Sequence, residues 1–574
     1  MKLRALLALA VSVALMATVS PAFAGYNDNP LPQNQQQYQW STPPKSRPYV
    51  HIGGAWGAAV FPTGLVGDKA LMPYVMEQKD GHLVFCTKVD IDCISNSSQG
   101  INGFFELCAN DARIACLDSV EYQTADGTWA KAKIVEQVDE TPDPAKLAAF
   151  IESTKRSSNP ALSSVGDLGW SPIENIGLPA SSKGPLVVSM PGVNNAAGQD
   201  TYVVNANYTY DKNSQKVIDY ALSIRPVAID TSRTNNMYRW VSNINGGENV
   251  SGTASGQIDF NDETVAESSS KETGWAAAFG AKTQMRVTLR LPKALGGWFQ
   301  TRLDQPDVNV KAFDATTNLV TLSGAPTTVP ITEGAIALND PANKDDVGKL
   351  FGPNAWDNSQ KVLANGGSPG LMTWTTWYPG AGISLFDNWR KYIPETALGT
   401  ADVWSAGHIF ATDKCMNDNS SLQGLVNTSA LVFQPSVPTF EDGYLTYKVA
   451  GVHFDSSGQP YRGSYDFIMR KSVAQCLYGF DDSPIYGSIS VTSSDGAEQV
   501  ATTSVTETDG WLRLSAKGFT FSDPVIKGKL EQKSAPKVVA PAPKSKTLLC
   551  VKRGVTRRIV GVNPKCPAGY KPKA

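Results

Sequence analysis

Histidine is scarce in this chain: His51, His82, His408 and His453 are the only four in 574 residues. That count leaves little room for a His-rich metal enzyme. No C-x-x-C pair occurs, and only His82 and His408 lie near a cysteine in sequence, so zinc is a poor reading of the cysteines. A phosphate-binding glycine loop and a dinucleotide fingerprint are both missing, which removes the common nucleotide and redox folds, and no cofactor is expected. Charged residues make up only 18% of the chain, while 49 Gly and 36 Pro punctuate it. Long helices are thereby disfavoured and turn-rich β-structure is favoured. After the N-terminus no apolar run approaches the roughly 18 to 20 residues that span a bilayer, so no membrane span is expected in the mature chain.

What is present begins with an export signature. Lys2 and Arg4 precede an apolar stretch from Ala5 to Met16, and Ala22-Phe23-Ala24 carries the small-x-small pattern of a signal-peptidase site. The apolar stretch is too short to anchor, and Gly25 follows the site where a lipid-bearing Cys would stand. The mature chain is therefore expected to start at Gly25 and to be secreted, extracellular or held at the cell surface. Eight cysteines follow in local groups: Cys86, Cys93, Cys108 and Cys116; Cys415 and Cys476; Cys550 and Cys566. Outside a reducing cytoplasm an even set reads as disulfides. The last two groups pair by proximity, while the first four leave three pairings open.

Charge is unevenly spread. Lys527–Ala574 holds thirteen Lys or Arg against a single acid, Glu531. Taking that +12 and the +2 of residues 1–24 from the chain's −2 leaves −16 on residues 25–526. An acidic body with a basic tail points to an anionic partner for the tail. In an exported protein that partner is an envelope polymer or polysaccharide rather than nucleic acid. Lys552, Arg553, Arg557 and Arg558 are the candidate anion contacts.

Period-two patterns recur along the body: Tyr202 to Tyr210, Tyr220 to Ile224, Met285 to Leu291, Leu445 to Val449, Tyr465 to Met469 and Leu512 to Ala516. Alternation of this kind predicts mostly antiparallel sheets with one face buried and one wet. Asp-Gly pairs at 126–127, 442–443, 495–496 and 509–510 supply tight turns. Helices are expected only from Asp143-Pro144 and from Ser384. The fold class is therefore mainly β: several antiparallel, β-sandwich-like domains with few short helices and a disulfide-stapled C-terminal tail. The segments are a signal peptide (1–24), an extended lead-in (25–48), a β-rich domain with the Cys cluster (49–180) and a second β-rich domain (181–345). A Trp-rich segment plus C-terminal β-domain (346–530), a Pro/Ala/Lys linker (531–546) and the basic tail (547–574) complete the chain.

Sites of chemistry are faint. Gly366-Gly367-Ser368-Pro369-Gly370 fits G-x-S-x-G, but the residue after the nucleophile must donate its N–H to an oxyanion and Pro369 has none. Trp356, Trp374, Trp377, Trp389 and Trp404 cluster with Tyr378 and Tyr392. Exposed aromatic faces stack on sugar rings, so Trp374, Trp377 and Tyr378 are candidate glycan contacts. Asp387, Glu395 and Asp402 are conceivable as an acid/base pair, and Asp259, Asp262, Glu263 and Asp345-Asp346 as calcium ligands. No spacing singles either group out.

The last residues, Cys550-Val-Lys-Arg-Gly-Val-Thr-Arg-Arg and Asn563-Pro-Lys-Cys-Pro-Ala-Gly-Tyr-Lys, resemble a tail shared by uncharacterised secreted or cell-surface actinobacterial proteins, with a C-V-K-x-G start and a K-C-P-x-G-Y-K end. The Cys415–Pro524 region, with Cys476-Leu-Tyr-Gly-Phe and Gly510-Trp-Leu-Arg-Leu, is similar to a domain of such proteins. The resemblance covers about a quarter of the chain and implies export; it transfers no catalytic residue. The expectation is an exported, non-catalytic surface or secreted β-protein that binds an envelope polymer, polysaccharide or protein partner. The alternative is a secreted glycan-active hydrolase using carboxylates without a motif.

Overall fold

The structure is a computed structural model that describes most of residues 76–573. The longer stretches outside the described residues are 1–75, 109–114, 138–169, 231–272, 365–370, 376–382, 493–498 and 533–545. The export signature, the lead-in, the helix expected from Asp143 and the Asp495-Gly496 turn fall among these or shorter gaps. Most of the segment after Ser384 does too, although Phe386 is buried.

The chain is mainly β, with a 13-stranded sheet as its middle layer. Its order is Thr502–Thr508, Trp511–Thr520, Arg462–Arg470, Leu422–Thr428, Gly297–Arg302, Gly399–Ile409, Lys216–Asp230, Thr201–Asp211, Leu186–Ser189 and Lys133–Gln137. Three short strands pair onto this path. Strands therefore come from all three stretches set apart by the soft boundaries near 180 and 345. Neighbours are antiparallel except Gly297–Arg302 beside Leu422–Thr428, which is parallel.

Two five-stranded sheets cover this layer. One runs Asp304–Ala312, Thr317–Ala325, Met285–Pro292, Cys116–Gln123 and Trp129–Lys131. Its Val287, Leu289, Val308 and Leu322 pack into one core with Phe299, Leu425 and Ile468 of the large sheet. The other contains Tyr444–Ala450, Val525–Gln532 and Ile485–Thr492. Its Tyr447, Val449, Ile489 and Ile526 meet Trp298, Val426, Phe467 and Met469 in a second core. Successive residues of a strand point to opposite faces, so adjacent Trp298 and Phe299 each fill a different core. Gly424 makes this possible, because a Cβ there would come within 2.7 Å of the Trp298 ring.

The central strands thus correct the expectation of one buried and one wet face. Along Thr201–Asp211, Tyr202 through Tyr208 are buried without a break. Alternation in the sequence reflected large against small residues on a strand buried on both faces. Asp442-Gly443 and Asp509-Gly510 do make tight hairpin turns with both residues at positive φ. Four helices arise among the described residues where none was expected: Ile91–Asn96, Lys344–Phe351, Ala355–Ala364 and Lys471–Tyr478. The last carries Cys476, which bridges to Cys415. Cys108 pairs with Cys116, Cys550 with Cys566, and Cys93 is also disulfide-bonded. Among the described residues no helix is long and apolar enough to cross a membrane.

Candidate functional site

The tail forms its own three-stranded sheet, Val555–Gly561, Lys546–Lys552 and Lys571–Pro572, in that order. Lys552 and Val555 face each other across Arg553-Gly554, whose φ values of 44° and 83° define a mirror-image two-residue turn. Asn or Gly is the usual first residue there, so the chain holds Arg553 at the hairpin tip against a backbone preference. Register sorts the cations: Cys550 pairs with Arg557 and Leu549 with Arg558. Lys552 and Arg557 therefore share the disulfide's face, and Arg558 lies on the other, beside Leu549 and Val560, which are exposed.

Tyr570 is delivered to the first face by a turn in which its N–H donates to Pro567 O at 3.0 Å. Its ring takes Lys552 Nζ at 5.8 Å and Arg557 Cζ at 5.6 Å from the centroid. From Lys546 to Lys573 the tail carries eight Lys or Arg and no acid. All four candidate anion contacts are exposed, and among the described residues none of them forms an ion pair.

The other candidates fare differently. Trp377, Tyr378, Ser368 with its glycine loop, Asp387, Asp259, Asp262 and Glu263 lie outside the described residues, as does the Trp374 side chain. Trp356 and Trp404 are buried, and Trp404 Nε1 donates to Gly324 O at 2.8 Å, so both are core. Asp345 and Asp346 occupy the first turn of a helix, where a carboxylate suits the dipole. Among the described residues no group of acidic, Cys or His side chains is placed to hold a metal. Asp402 accepts from Thr328 Oγ1 at 2.6 Å with Lys282 at 3.8 Å, whereas Glu395 meets His453. The two carboxylates are thus taken up by different partners.

The Glu395–His453 pair was not evident from the sequence. Two loops bring it together: Phe454 N–H donates to Glu395 O at 3.0 Å and Ala397 N–H to Phe454 O at 2.9 Å. Arg390 NH2 lies 3.3 Å from His453 Nε2. A guanidinium only donates, so Nε2 accepts and Nδ1–H faces Glu395. This resembles the base half of a catalytic triad, but the nitrogen that would face a nucleophile is occupied by Arg390.

A second group hidden from sequence patterning is a buried polar row across the large sheet. Asn205 pairs with Ser223, Ser223 with Ser405 and Ser405 with Arg302. All four are at most 4% exposed. Arg302 donates to Ala430 O at 2.7 Å and Leu431 O at 3.0 Å, and burial pulls its pKa down to about 10. On the opposite face His408 donates from Nε2 to Gly296 O at 2.8 Å. Its ring stacks on Tyr220 at 4.6 Å, and burial lowers its pKa to about 4. Both arrangements hold strands in register and present nothing to solvent.

No protein family, curated protein or solved structure matches the chain.

Proposed function

We propose that this is an exported, non-catalytic β-protein whose basic tail holds it to an anionic polymer of the cell envelope, leaving the acidic body to project outward. The observation that carries the reading is the tail itself: a folded, disulfide-tied sheet with eight cations and no carboxylate between Lys546 and Lys573. A sequence meant only to solubilise needs no sheet, no staple and no Arg forced into a positive-φ turn. The Pro/Ala/Lys spacer before it has the composition of an extended linker. Attachment by exposed cations is screened over about 8 Å at physiological ionic strength and weakens with salt. Ending the chain after Ala540 is expected to move the protein from the cell fraction to the medium without lowering the stability of the body. Fractionation of cells carrying full and shortened chains, with and without added salt, tests this; identical partitioning removes the proposal.

A further inference from the structure

Resting on that reading, we infer that Lys552, Arg557 and Tyr570 form one oxyanion subsite on the disulfide-covered face of the tail. Its ligand is the phosphate or carboxylate of a repeating unit in an anionic polymer.

Lys552 and Arg557 sit diagonally on neighbouring strands, since Arg557 faces Cys550 and Lys552 lies two residues on. Both cations are within 6 Å of one Tyr570 centroid, and neither meets a carboxylate among the described residues. Two like charges drawn to one ring repel each other unless an anion joins them. The attraction of an aromatic face for a cation is modest at an exposed site, so the ring orders the two side chains without neutralising either. Gly569 completes the fit. At φ +84°, a Cβ there would stand 2.7 Å from Lys552 Nζ, so glycine lets the ammonium lie against the turn that carries Tyr570. Cys550, fully buried beneath this face, and its bond to Cys566 fix the strand and the loop that contribute the three groups.

The opposite face offers a matched control. Arg558 faces Leu549, and Lys571 faces Val551. These two cations have the same formal charge as Lys552 and Arg557 but no aromatic ring between them.

The test uses the full mature chain and two immobilised probes, inorganic polyphosphate and polygalacturonate. The pair K552Q/R557Q is expected to bind at least one probe roughly tenfold more weakly or worse. The pair R558Q/K571Q is expected to lose less than about threefold on that probe. Tyr570→Phe should retain binding and Tyr570→Ala lose it. Amide exchange across Lys546–Lys573 checks that each variant keeps the sheet. Independently of any variant, the bound polymer should protect Lys552 from acetylation more than Lys571. The probe that binds tells phosphate from carboxylate. Equal losses for the two charge pairs, or equal protection of the two lysines, would overturn the subsite and leave diffuse attachment standing. Failure of the unaltered chain to bind either probe would overturn both.

Discussion

The body and the tail are both β-sheet, yet they are stabilised in opposite ways. In the body, Trp298 and Phe299 are each fully buried because a sheet covers either side of their strand. In the tail, Cys550 is the only buried residue among those described from Lys546 to Lys573, and Leu549, Val555, Val560 and Val562 stand exposed. Apolar burial holds the first. The second has too little of it to fold on that ground, and a covalent link takes the place of a core. Surface given to a core cannot meet a ligand, so a sheet without one keeps both faces for contact.

The sharpest way to break this comparison is inside the large sheet. Trp298→Ala should cost about 3 to 5 kcal/mol by cavity formation and by leaving Met416 O without its 2.8 Å hydrogen bond. Denaturant midpoints would show the loss, and amide exchange of the tail should stay as it was. The converse is C550S/C566S. Opening this short loop should remove about 3 kcal/mol from the tail alone. Fast exchange over Lys546–Lys573 with an unmoved body midpoint is the expected pattern.

Acid should separate the two regions next. His408 is held neutral in the fold with a pKa near 4, while the unfolded chain takes its proton near 6.5. Protonation then favours unfolding as pH falls from about 6.5 towards 4, and stability recovers as pH rises through that window. His408 alone makes the fold about 2 kcal/mol less stable at pH 5 than at pH 7. Asp219, 3.9 Å from its Nδ1, partly offsets this, because burial pushes its carboxyl up to about 6. The loss in the unaltered chain should exceed that in His408→Asn, measured by denaturant titration. Tail exchange, corrected for intrinsic rates, should show no such step.

The smallest effect is a gain. Arg553→Asn suits the turn backbone and should stabilise the tail hairpin by roughly 0.5 kcal/mol while weakening attachment to the polymer. A variant that lost both would show that Arg553 serves the turn after all.

Strand identity was largely legible in the sequence, since alternation at Met285–Leu291 and Leu445–Val449 and the Asp-Gly turns are local signals. The tail's charge and its cysteine pair were legible for the same reason. Layering was not, because whether Val203 and Asn205 face water depends on what lies over them, and period two cannot report a second layer. The four unexpected helices are short and stand between strands, where tertiary packing outweighs propensity. The Glu395–His453–Arg390 contact depends on two loops meeting, and no spacing within either loop encodes it. The sorting of Lys552 and Arg557 from Arg558 needed the hairpin register, which one residue of slip would reverse.

The position of Gly297–Arg302 between Gly399–Ile409 and Leu422–Thr428 also dictates an order of events in time. A strand made early must wait for partners about a hundred residues downstream, and the sheet's last strand in chain order, Trp511–Thr520, pairs beside the edge strand Thr502–Thr508. Sheets built from such distant partners close slowly. The growing chain therefore has no shortcut to a finished middle layer. Among the described residues the tail strands pair only with one another, over a short span of chain. The tail needs no such wait and can close while the large sheet is still assembling.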